Sequence, residues 1–319
     1  MIKLSFIKYL LFLSGVISSP LFLFSQTVTD STKQDTILPT YRRLKVAFNY
    51  SSANNLLGKK DTISIPLLSP SIKYTTSRDI FYQASIVHTN TTSKLFDELD
   101  LKIGYSYYFN DRWNASISYT RYIFSKEVDR LNALVNNDVN LYVGYDWDYV
   151  YSALSFDFTS GKKSYTYQTT DSVYHKKLNI YTYTTTSGNA SISSKDYTLT
   201  LMNSRQFFFF DLIKPNDKLI VSPEIDIYYG TQNAVQTDKS TKKLLKAKKS
   251  KSINATTNTS TPFMAYTFNL DLRYTIKRIT FNLSPFYTVP QRVKSDVNIS
   301  SPYFVMYGGI YYTWKWEKK

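Results

Sequence analysis

The chain has 319 residues, a formal net charge of +15 and no cysteine. The lack of cysteine excludes a disulfide framework, a thiolate metal site and a lipid-anchored cysteine. Aromatic residues make up 17% of the chain, and 29 residues are tyrosines, whose apolar ring and polar tip suit membrane interfaces and wet surfaces alike.

The first 25 residues predict a cleaved secretory signal peptide. Lys3 and Lys8 form a basic start, and residues 9–24 carry no charge. Ser25 supplies the small residue that a cleavage site requires. An uncleaved helical anchor is the alternative. It needs about 20 apolar residues, whereas this stretch is interrupted by serines, a glycine and a proline.

The final segment, residues 303–316, alternates between apolar and more polar side chains with a period of two. Such alternation predicts a β-strand with two unlike faces. One face suits a lipid bilayer and the other a wet lumen. The apolar face consists of Phe304, Met306, Gly308, Ile310, Tyr312, Trp314 and Trp316, and the opposite face of Tyr303, Val305, Tyr307, Gly309, Tyr311, Thr313 and Lys315.

The same alternation recurs along most of the chain. In residues 98–109, for example, Leu101 and Ile103 lie on the opposite face from Lys102. The pattern predicts twelve strands, at 41–50, 68–75, 80–88, 98–109, 112–124, 137–146, 149–159, 196–210, 218–230, 263–276, 278–290 and 303–316.

The connections between these segments are short and long in strict alternation. The short ones contain Asp, Asn, Pro or Lys, and the first three of these favour tight turns. With twelve antiparallel strands, every long loop then lies at one end and every short turn at the other. A secreted β-sandwich also has alternating strands but does not predict this order. The short connections are Thr76–Asp79, Asn110–Asp111, Trp147–Asp148, Asp211–Asp217 and Lys277, and the long ones are Ser51–Leu67, Thr89–Asp97, Ser125–Asn136, Ser160–Lys195, Thr231–Pro262 and Gln291–Pro302.

One long connection leaves the strand number open. Residues 164–186 contain several tyrosines and many threonines and could form a further hairpin. We expect this segment to extend the loop beyond the membrane, because residues 169–177 are polar. If it crosses the membrane instead, the barrel has fourteen strands.

With these features the chain resembles the outer-membrane β-barrel proteins of Gram-negative bacteria. The resemblance covers residues 41–316 and is architectural. It implies an all-β fold, a transmembrane antiparallel up-and-down barrel with short periplasmic turns and long extracellular loops, located in the bacterial outer membrane. Twelve-stranded members include nucleoside-type and acidic-sugar channels, small autotransporter pores and the outer-membrane phospholipase. The last strand of such proteins usually ends the chain on an aromatic residue, whereas here Glu317–Lys319 follow it.

This resemblance divides the chain into three parts. Residues 1–25 are the expected signal peptide, and the polar, unpatterned residues 26–40 are the expected periplasmic linker. Residues 41–319 are the expected barrel.

The sequence offers little for catalysis. Its two histidines are His88 and His175. Resemblance to the phospholipase would require a serine two residues after His88, but Asn90 stands there. Resemblance to an outer-membrane protease would require acidic pairs beside a histidine, and Asp171 near His175 is the one candidate. We therefore expect no enzyme, no cofactor and no metal site, with a lipase or a protease as the alternative.

Charged residues on the predicted lumen face are the stronger functional signal. Opposed acidic and basic walls would select small polar or charged solutes by their transverse electric field. The alternative is that these charges pair and close the lumen. The basic candidates are Lys45, Lys73, Lys102 and Arg273, expected opposite Asp157, Glu224 and Asp226, and the further acidic candidates are Asp100 and Asp271.

A basic run lies in the long connection 231–262. It holds seven lysines and no acid, and secretion argues against nucleic acid as its partner. We expect a solvated extracellular loop that contacts lipopolysaccharide phosphates or attracts anions. Its lysines are Lys239, Lys242, Lys243, Lys246, Lys248, Lys249 and Lys251.

These observations predict a passive channel for small polar or charged solutes. The alternative is a plugged structural barrel whose long loops bind a surface partner. The lipid bilayer is the expected surrounding of either, and the sequence leaves the solute and the oligomeric state open.

Overall fold

A computed structural model describes residues 41–53, 55–56, 59–60, 66–89, 97–125, 135–175, 180–244, 250–291 and 301–317. Within these ranges the chain holds no helix long and apolar enough to cross a membrane. The expected signal peptide and linker lie outside the described residues. The fifteen strands are β1 (Tyr41–Ser51), β2 (Asn55–Leu56), β3 (Lys59–Lys60), β4 (Leu67–Thr75), β5 (Ile80–Thr89), β6 (Glu98–Tyr108), β7 (Trp113–Phe124), β8 (Asn137–Asp146), β9 (Tyr151–His175), β10 (Ile180–Ser204), β11 (Phe207–Phe210), β12 (Asp217–Leu244), β13 (Ser250–Ile276), β14 (Ile279–Gln291) and β15 (Tyr303–Glu317).

Thirteen of these strands form one antiparallel sheet that closes on itself. The first strand pairs with the last, with Tyr41 opposite Glu317, and β10 pairs with β12 on the far side. Because β11 continues the line of β10, twelve strand lines surround the lumen. The predicted twelve-stranded up-and-down barrel is confirmed.

Proline divides the eighth strand line into β10 and β11. Ser204 lies opposite Glu224 and Phe207 opposite Val221, so the register continues unbroken and places Arg205 opposite Pro223. The Arg205 amide donates to the Pro223 carbonyl at 3.1 Å. Proline has no N–H to return a bond, and the ladder is interrupted at this position.

The barrel presents an apolar face outward and a polar face inward. Outward side chains such as Leu101 and Ile117 are 43% and 49% exposed, as expected for groups that contact lipid rather than protein. Inward Ser118 and Thr120 are buried. Aromatic side chains end the outer band at both rims, as in bacterial outer-membrane β-barrels. They are Phe109, Trp113, Tyr145, Trp147, Trp314 and Trp316 at the short-turn end, and Tyr50, Tyr119, Tyr197, Tyr229, Tyr287 and Phe304 at the long-loop end.

The short turns use Asp, Asn and Lys in the left-handed backbone region. In the described ranges, the non-glycine residues with positive φ are Asp79 (57°), Asp148 (73°), Asp211 (54°), Asn216 (64°) and Lys277 (55°). All of them lie in predicted short turns. Asp and Asn tolerate this region better than other side chains, which explains their place in four of these positions.

The two longest predicted loops are strands for most of their length. β9 and β10 have 25 residues each, and β12 and β13 have 28 and 27, against the about 10 needed to cross the membrane. The long connections expected at 160–195 and 231–262 are therefore largely paired strands, and residues 164–186 extend the β9–β10 hairpin beyond the last pairing with β8. The β9–β10 hairpin is paired continuously, from Tyr151 opposite Ser204 to His175 opposite Ile180. It therefore adds no further membrane crossing, and the fourteen-strand alternative is wrong.

These strands continue as a four-stranded sheet outside the membrane, which we call the external sheet (β9 from residue 161, β10 to residue 194, β12 from residue 232 and β13 to residue 263). The neighbouring strand β8 leaves β9 at Ser160, and β14 leaves β13 at Met264. Beyond these points the four strands pair only with each other. At about 3.3 Å per residue, the fifteen residues from Ser160 to His175 extend about 50 Å.

One aspartate organises the longest periplasmic turn. The Asp217 carboxylate accepts hydrogen bonds from the backbone amides of Leu212, Ile213 and Lys214 at 2.8–2.9 Å. Tyr274 donates a fourth bond at 2.5 Å. Burial raises the pKa of the Asp217 carboxyl, but these hydrogen bonds outweigh it and hold the pKa at about 2, below the ordinary 3.8.

Replacing Asp217 with Asn should therefore destabilise the barrel in a pH-dependent way. The lowered pKa means that the carboxylate stabilises the fold fully above pH 3.8 and loses this effect as pH falls towards 2. We expect Asp217→Asn to lower the urea midpoint of the refolded barrel at pH 7, and the difference from wild type to narrow between pH 3.8 and 2. Tryptophan fluorescence across a pH series measures this. Asp111→Asn, in another exposed turn, is the control. A difference that stays constant down to pH 2 would contradict the assignment.

Candidate functional site

The inner wall of the barrel is the candidate functional site. It is lined largely by short hydroxyl side chains, which lie buried between larger neighbours: Ser85, Ser118, Thr120, Ser155, Thr159, Thr198, Thr200, Ser222, Thr267 and Thr288. Charged and aromatic side chains project past them toward the barrel axis.

Basic residues gather on β1, β4 and β6. Lys45 lies directly opposite Lys73 in the β1–β4 register. Lys73 lies opposite Gln83, which in turn lies opposite Lys102. These three lysines therefore follow one row across four strand lines, and we call them the basic row.

Aromatic rings hold two of these ammonium groups. The Nζ atom of Lys45 is 3.4 Å from the centre of the Tyr311 ring, and Nζ of Lys73 is 4.0 Å from that of Phe81. A ring face attracts a cation that has lost part of its water shell. The rings position the ammonium groups without neutralising them.

Acidic residues gather on the other side of the lumen. Asp157 on β9 accepts hydrogen bonds from Asn140 Nδ2 at 2.6 Å and Ser155 Oγ at 3.1 Å. On β12, Glu224 accepts one from Asn269 Nδ2 at 3.3 Å. We call Asp157, Glu224 and Asp226 the acidic row.

Neutral donors stabilise these carboxylates. The third, Asp226, accepts a hydrogen bond from Tyr228 at 3.2 Å. Amide and hydroxyl groups thus donate a hydrogen bond to each carboxylate of the acidic row.

The barrel closure places the two rows on opposing walls. Of the twelve strand lines, β9 is the sixth from β1 in either direction, and β12 follows two lines later. The lumen therefore has the basic row on one side and the acidic row on the other.

Two further charged residues of the predicted lumen set lie side by side on β13. The Nε atom of Arg273 is 2.6 Å from Asp271 Oδ2, and their strand adjoins β12. Asp271 also accepts a hydrogen bond from Ser284 Oγ at 2.6 Å. Asp100 lies on the basic side, on the same strand as Lys102, and accepts a hydrogen bond from Ser85 Oγ at 3.3 Å. Arg273 and Asp271 thus neutralise each other locally.

The lysines of the basic run are distributed between strands and undescribed residues. The backbone of Lys239, Lys242 and Lys243 lies in β12, and that of Lys251 lies in β13. Cross-strand pairing on both sides of β12 explains why threonine-rich sequence here forms strand rather than loop. Lys246, Lys248 and Lys249 lie outside the described residues.

Some lumen residues escaped prediction from the sequence. Arg43 is on the inward face of β1, and its Nη2 atom forms an ion pair with Asp79 Oδ1 at 3.2 Å. Asp138 and Tyr122 also face inward on β8 and β7. The alternating pattern was enough to predict that these side chains face the lumen. It could not predict which side chains contact each other across the lumen.

Two glycines make room for lumen aromatics. The Phe81 ring lies over Gly104, where a Cβ atom would overlap it. The Tyr151 phenol likewise occupies the space over Gly144, and it donates to Asn114 Oδ1 at 3.0 Å and contacts the Tyr142 hydroxyl. Large rings over small neighbours reduce the free cross-section of the lumen.

An apolar cluster lies at the extracellular end of β14 and β15. Val305 is fully buried, with Phe286, Tyr303 and Ala53 buried around it. Tyr307 stacks on Phe286 with a centroid distance of 5.2 Å. Buried hydroxyl side chains of Ser51 and Thr288 lie on the same side of the barrel.

The histidines do not form an active site among the described residues. His88 lies on the outward face of β5, and Asn90 is outside the described ranges. His175 ends β9, but its side chain and that of Asp171 are not described. The described parts of the chain contain no cluster of three or more His, Cys, Asp or Glu that could hold a metal ion.

Comparison with known proteins finds distant structural similarity and no relative in sequence. No protein-family model matches the chain, and no curated protein matches it. Among solved structures, the chain is similar to the NanC porin, with 10% identity, 84% of this chain and 98% of that chain covered, and a TM-score of 0.38. A bacterial polysaccharide outer membrane secretin has 9% identity, 86% and 98% coverage and a TM-score of 0.34. An anion-selective porin from Comamonas acidovorans has 8% identity, 86% and 98% coverage and a TM-score of 0.22. At these values the assignment as an outer-membrane barrel rests on the strand closure and the outer band.

Gly104→Ala should destabilise the barrel through the Phe81 ring. The new methyl group requires the ring, and the Lys73 ammonium above it, to move, and overpacking of this kind costs about 1–3 kcal/mol. Urea unfolding in lipid vesicles measures the loss. Gly308→Ala is the matched control, because its new Cβ would lie 3.8 Å from the nearest atom, Asn282 O. Equal stability of both variants would contradict the close packing of Phe81 on Gly104.

Proposed function

We propose that this barrel is a passive channel for small polar or charged solutes. The observation that supports the proposal most directly is the separation of the basic row (Lys45, Lys73, Lys102) from the acidic row (Asp157, Glu224, Asp226) on opposing walls. A barrel that only needed a filled interior would lower its energy by pairing these charges across the lumen. Keeping them apart maintains a transverse field, which orients solutes that carry a charge or a dipole.

The size of the solute follows from the side chains that line the lumen. Tyrosine and phenylalanine rings project over Gly104 and Gly144, and the apolar cluster around Val305 lies at the extracellular end. Water and small solutes fit such a path better than folded or polymeric ones. No catalytic step is needed for this function.

Reversal of one charge in the basic row should change ion selectivity. A unit charge about 4 Å from an ion in water acts with about 1 kcal/mol, so Lys73→Glu should shift the permeability ratio toward cations by at least roughly fivefold. Single-channel recording in a planar bilayer under a salt gradient measures this shift. The matched control is Lys277→Glu, in an exposed turn outside the lumen.

The control should leave the reversal potential at the wild-type value. A barrel that is folded, as judged by heat-modifiable gel mobility, but electrically silent would overturn the channel proposal. An unchanged reversal potential in Lys73→Glu would remove the basic row from the conduction path.

A second function is favoured by the external sheet. Four strands that extend about 50 Å beyond the last contacts with β8 and β14 are not required for conduction, and they form a surface suited to a partner outside the cell. In this alternative the lumen is closed and the external sheet carries the function.

Shortening the external sheet separates the two functions. One variant joins Lys162 to Ser193 and Asn233 to Ser260 through Asn-Gly turns, because these residues are paired in register. A channel should keep its single-channel conductance within about twofold, since the lumen residues are untouched. Planar-bilayer recording of both proteins tests this. Loss of conductance in a shortened barrel that still folds would mean that the external sheet forms part of the conduction path.

A further inference from the structure

Two phenylalanine rings face the lumen at its periplasmic end, on β11. The register is unbroken from β10 into β11, so Phe208 and Phe210 lie on the same face as the buried Thr198 and Ser204. The direct partner of Phe210 is Lys218, which lies on the same face of β12 as the acidic residues of that strand. Both rings are therefore part of the inner wall, next to the turn at 211–217.

These two rings are exposed in a wall that is otherwise built largely from short hydroxyl side chains. Phe208 is 48% exposed and Phe210 is 60% exposed. The alternate residues Phe207 and Phe209 face outward, where they contact lipid, whereas the inward rings face the lumen. Ile220 lies opposite Phe208 and adds further apolar surface. Because apolar surface in contact with water is unfavourable, a solute that covers these rings is favoured. We call Phe208, Phe210, Ile220 and Lys218 the mouth patch.

A lysine ammonium group lies beside the exposed rings. The Nζ atom of Lys218 is 4.5 Å from the centre of the Phe208 ring and 5.5 Å from that of Phe210. The rings attract the ammonium on one side, and an ammonium group has three N–H donors to offer to an acceptor. The direct register partners of Lys218 are Phe210 and Thr275, and neither is acidic.

The surrounding inner wall keeps the mouth patch apart from the acidic row. On the inward face of β12, the acidic residue nearest to Lys218 is Glu224, which lies six residues away, or about 20 Å along the strand. On β13, Arg273 lies opposite Ile220 and forms its ion pair with Asp271. The mouth patch is therefore an apolar surface with a positive charge at its side.

We propose that the mouth patch binds small aromatic carboxylates. The ring of such a solute packs on Phe208 and Phe210, and its carboxylate accepts a hydrogen bond from the Lys218 ammonium. An inorganic anion would leave the rings uncovered, and an apolar solute would leave the ammonium without an acceptor. This inference deepens the proposed channel function and rests on it for the path by which a solute reaches the mouth patch.

Binding of benzoate to the purified barrel in lipid nanodiscs tests the proposal. Acetate supplies the charge without the ring, and benzyl alcohol supplies the ring without the charge. Ligand-observed NMR titration gives the Kd of each compound after subtraction of empty nanodiscs. Benzoate should bind at least about tenfold more tightly than either of the other two, because only benzoate makes both contacts.

Variants on the two faces of β11 provide a matched pair. Phe208→Leu/Phe210→Leu should raise the Kd for benzoate at least about fivefold, since it removes both inward rings. Phe207→Leu/Phe209→Leu makes the same replacements on the outward face and should leave the Kd at the wild-type value. Lys218→Gln should weaken binding about tenfold, whereas Lys218→Arg, which keeps the charge, should stay within about twofold of wild type. Heat-modifiable gel mobility shows that each variant is folded.

Three results would overturn the proposal: unchanged benzoate binding in Phe208→Leu/Phe210→Leu, an equal loss in the outward control, or acetate binding as tightly as benzoate. Planar-bilayer recording of the same proteins separates this proposal from the channel itself. A conducting barrel that does not bind benzoate overturns the mouth patch and leaves the channel. A silent barrel that binds benzoate through the mouth patch supports this site and overturns the channel.

Discussion

The absence of water from the bilayer core governs this structure. A backbone N–H or C=O group in hydrocarbon must find its partner within the protein, so a sheet can cross only if it has no free edge. The pairing of β1 with β15 over eleven residues removes that edge. The twelve strand lines, the outward apolar band and the enclosed lumen are consequences of this closure.

Closure also creates an interior that must be solvated by the protein itself. Side chains that point inward are crowded, and short hydroxyl residues occupy most of the wall. Charges are held in this space by neutral groups: rings beside Lys45 and Lys73, and amide and hydroxyl donors on Asp157 and Asp226. Other charges form ion pairs instead, as Arg273 does with Asp271 and Arg43 with Asp79. A narrow polar path with opposed walls is the result.

Outside the membrane the strands are again in water, and backbone groups no longer have to find all their hydrogen-bond partners within the protein. The external sheet needs no closure, because its free edges can bond to solvent. Its four strands nevertheless remain paired for many residues after β8 and β14 have ended. Where the membrane-spanning barrel meets the external sheet, the outer face of β7–β10 changes from apolar and aromatic to basic. Two features on the outside of the same barrel are therefore available for contacts that the lumen does not make.

Much of the architecture was predictable from the sequence because membrane strands alternate with a fixed period of two. The facing of Leu101 against Lys102, the alternation of short and long connections and the turn residues Asp79 and Lys277 all follow from local pattern. Local pattern did not show that residues 160–195 and 231–262 are largely strands. Their polarity indicated loops, but a polar segment forms a strand when neighbouring strands supply its hydrogen bonds.

The sequence by itself determined which residues face the lumen and which face lipid, since a one-residue shift would move a whole apolar set into the interior. Only the tertiary structure decided which inward residues meet. Lys45 and Lys73 are 28 positions apart, yet the β1–β4 register makes them direct partners. Arg273 lies on β13, whose place between β12 and β14 follows from the closed sheet. Register and closure are set by long-range strand pairing, and a single strand carries no information about which partner it will face.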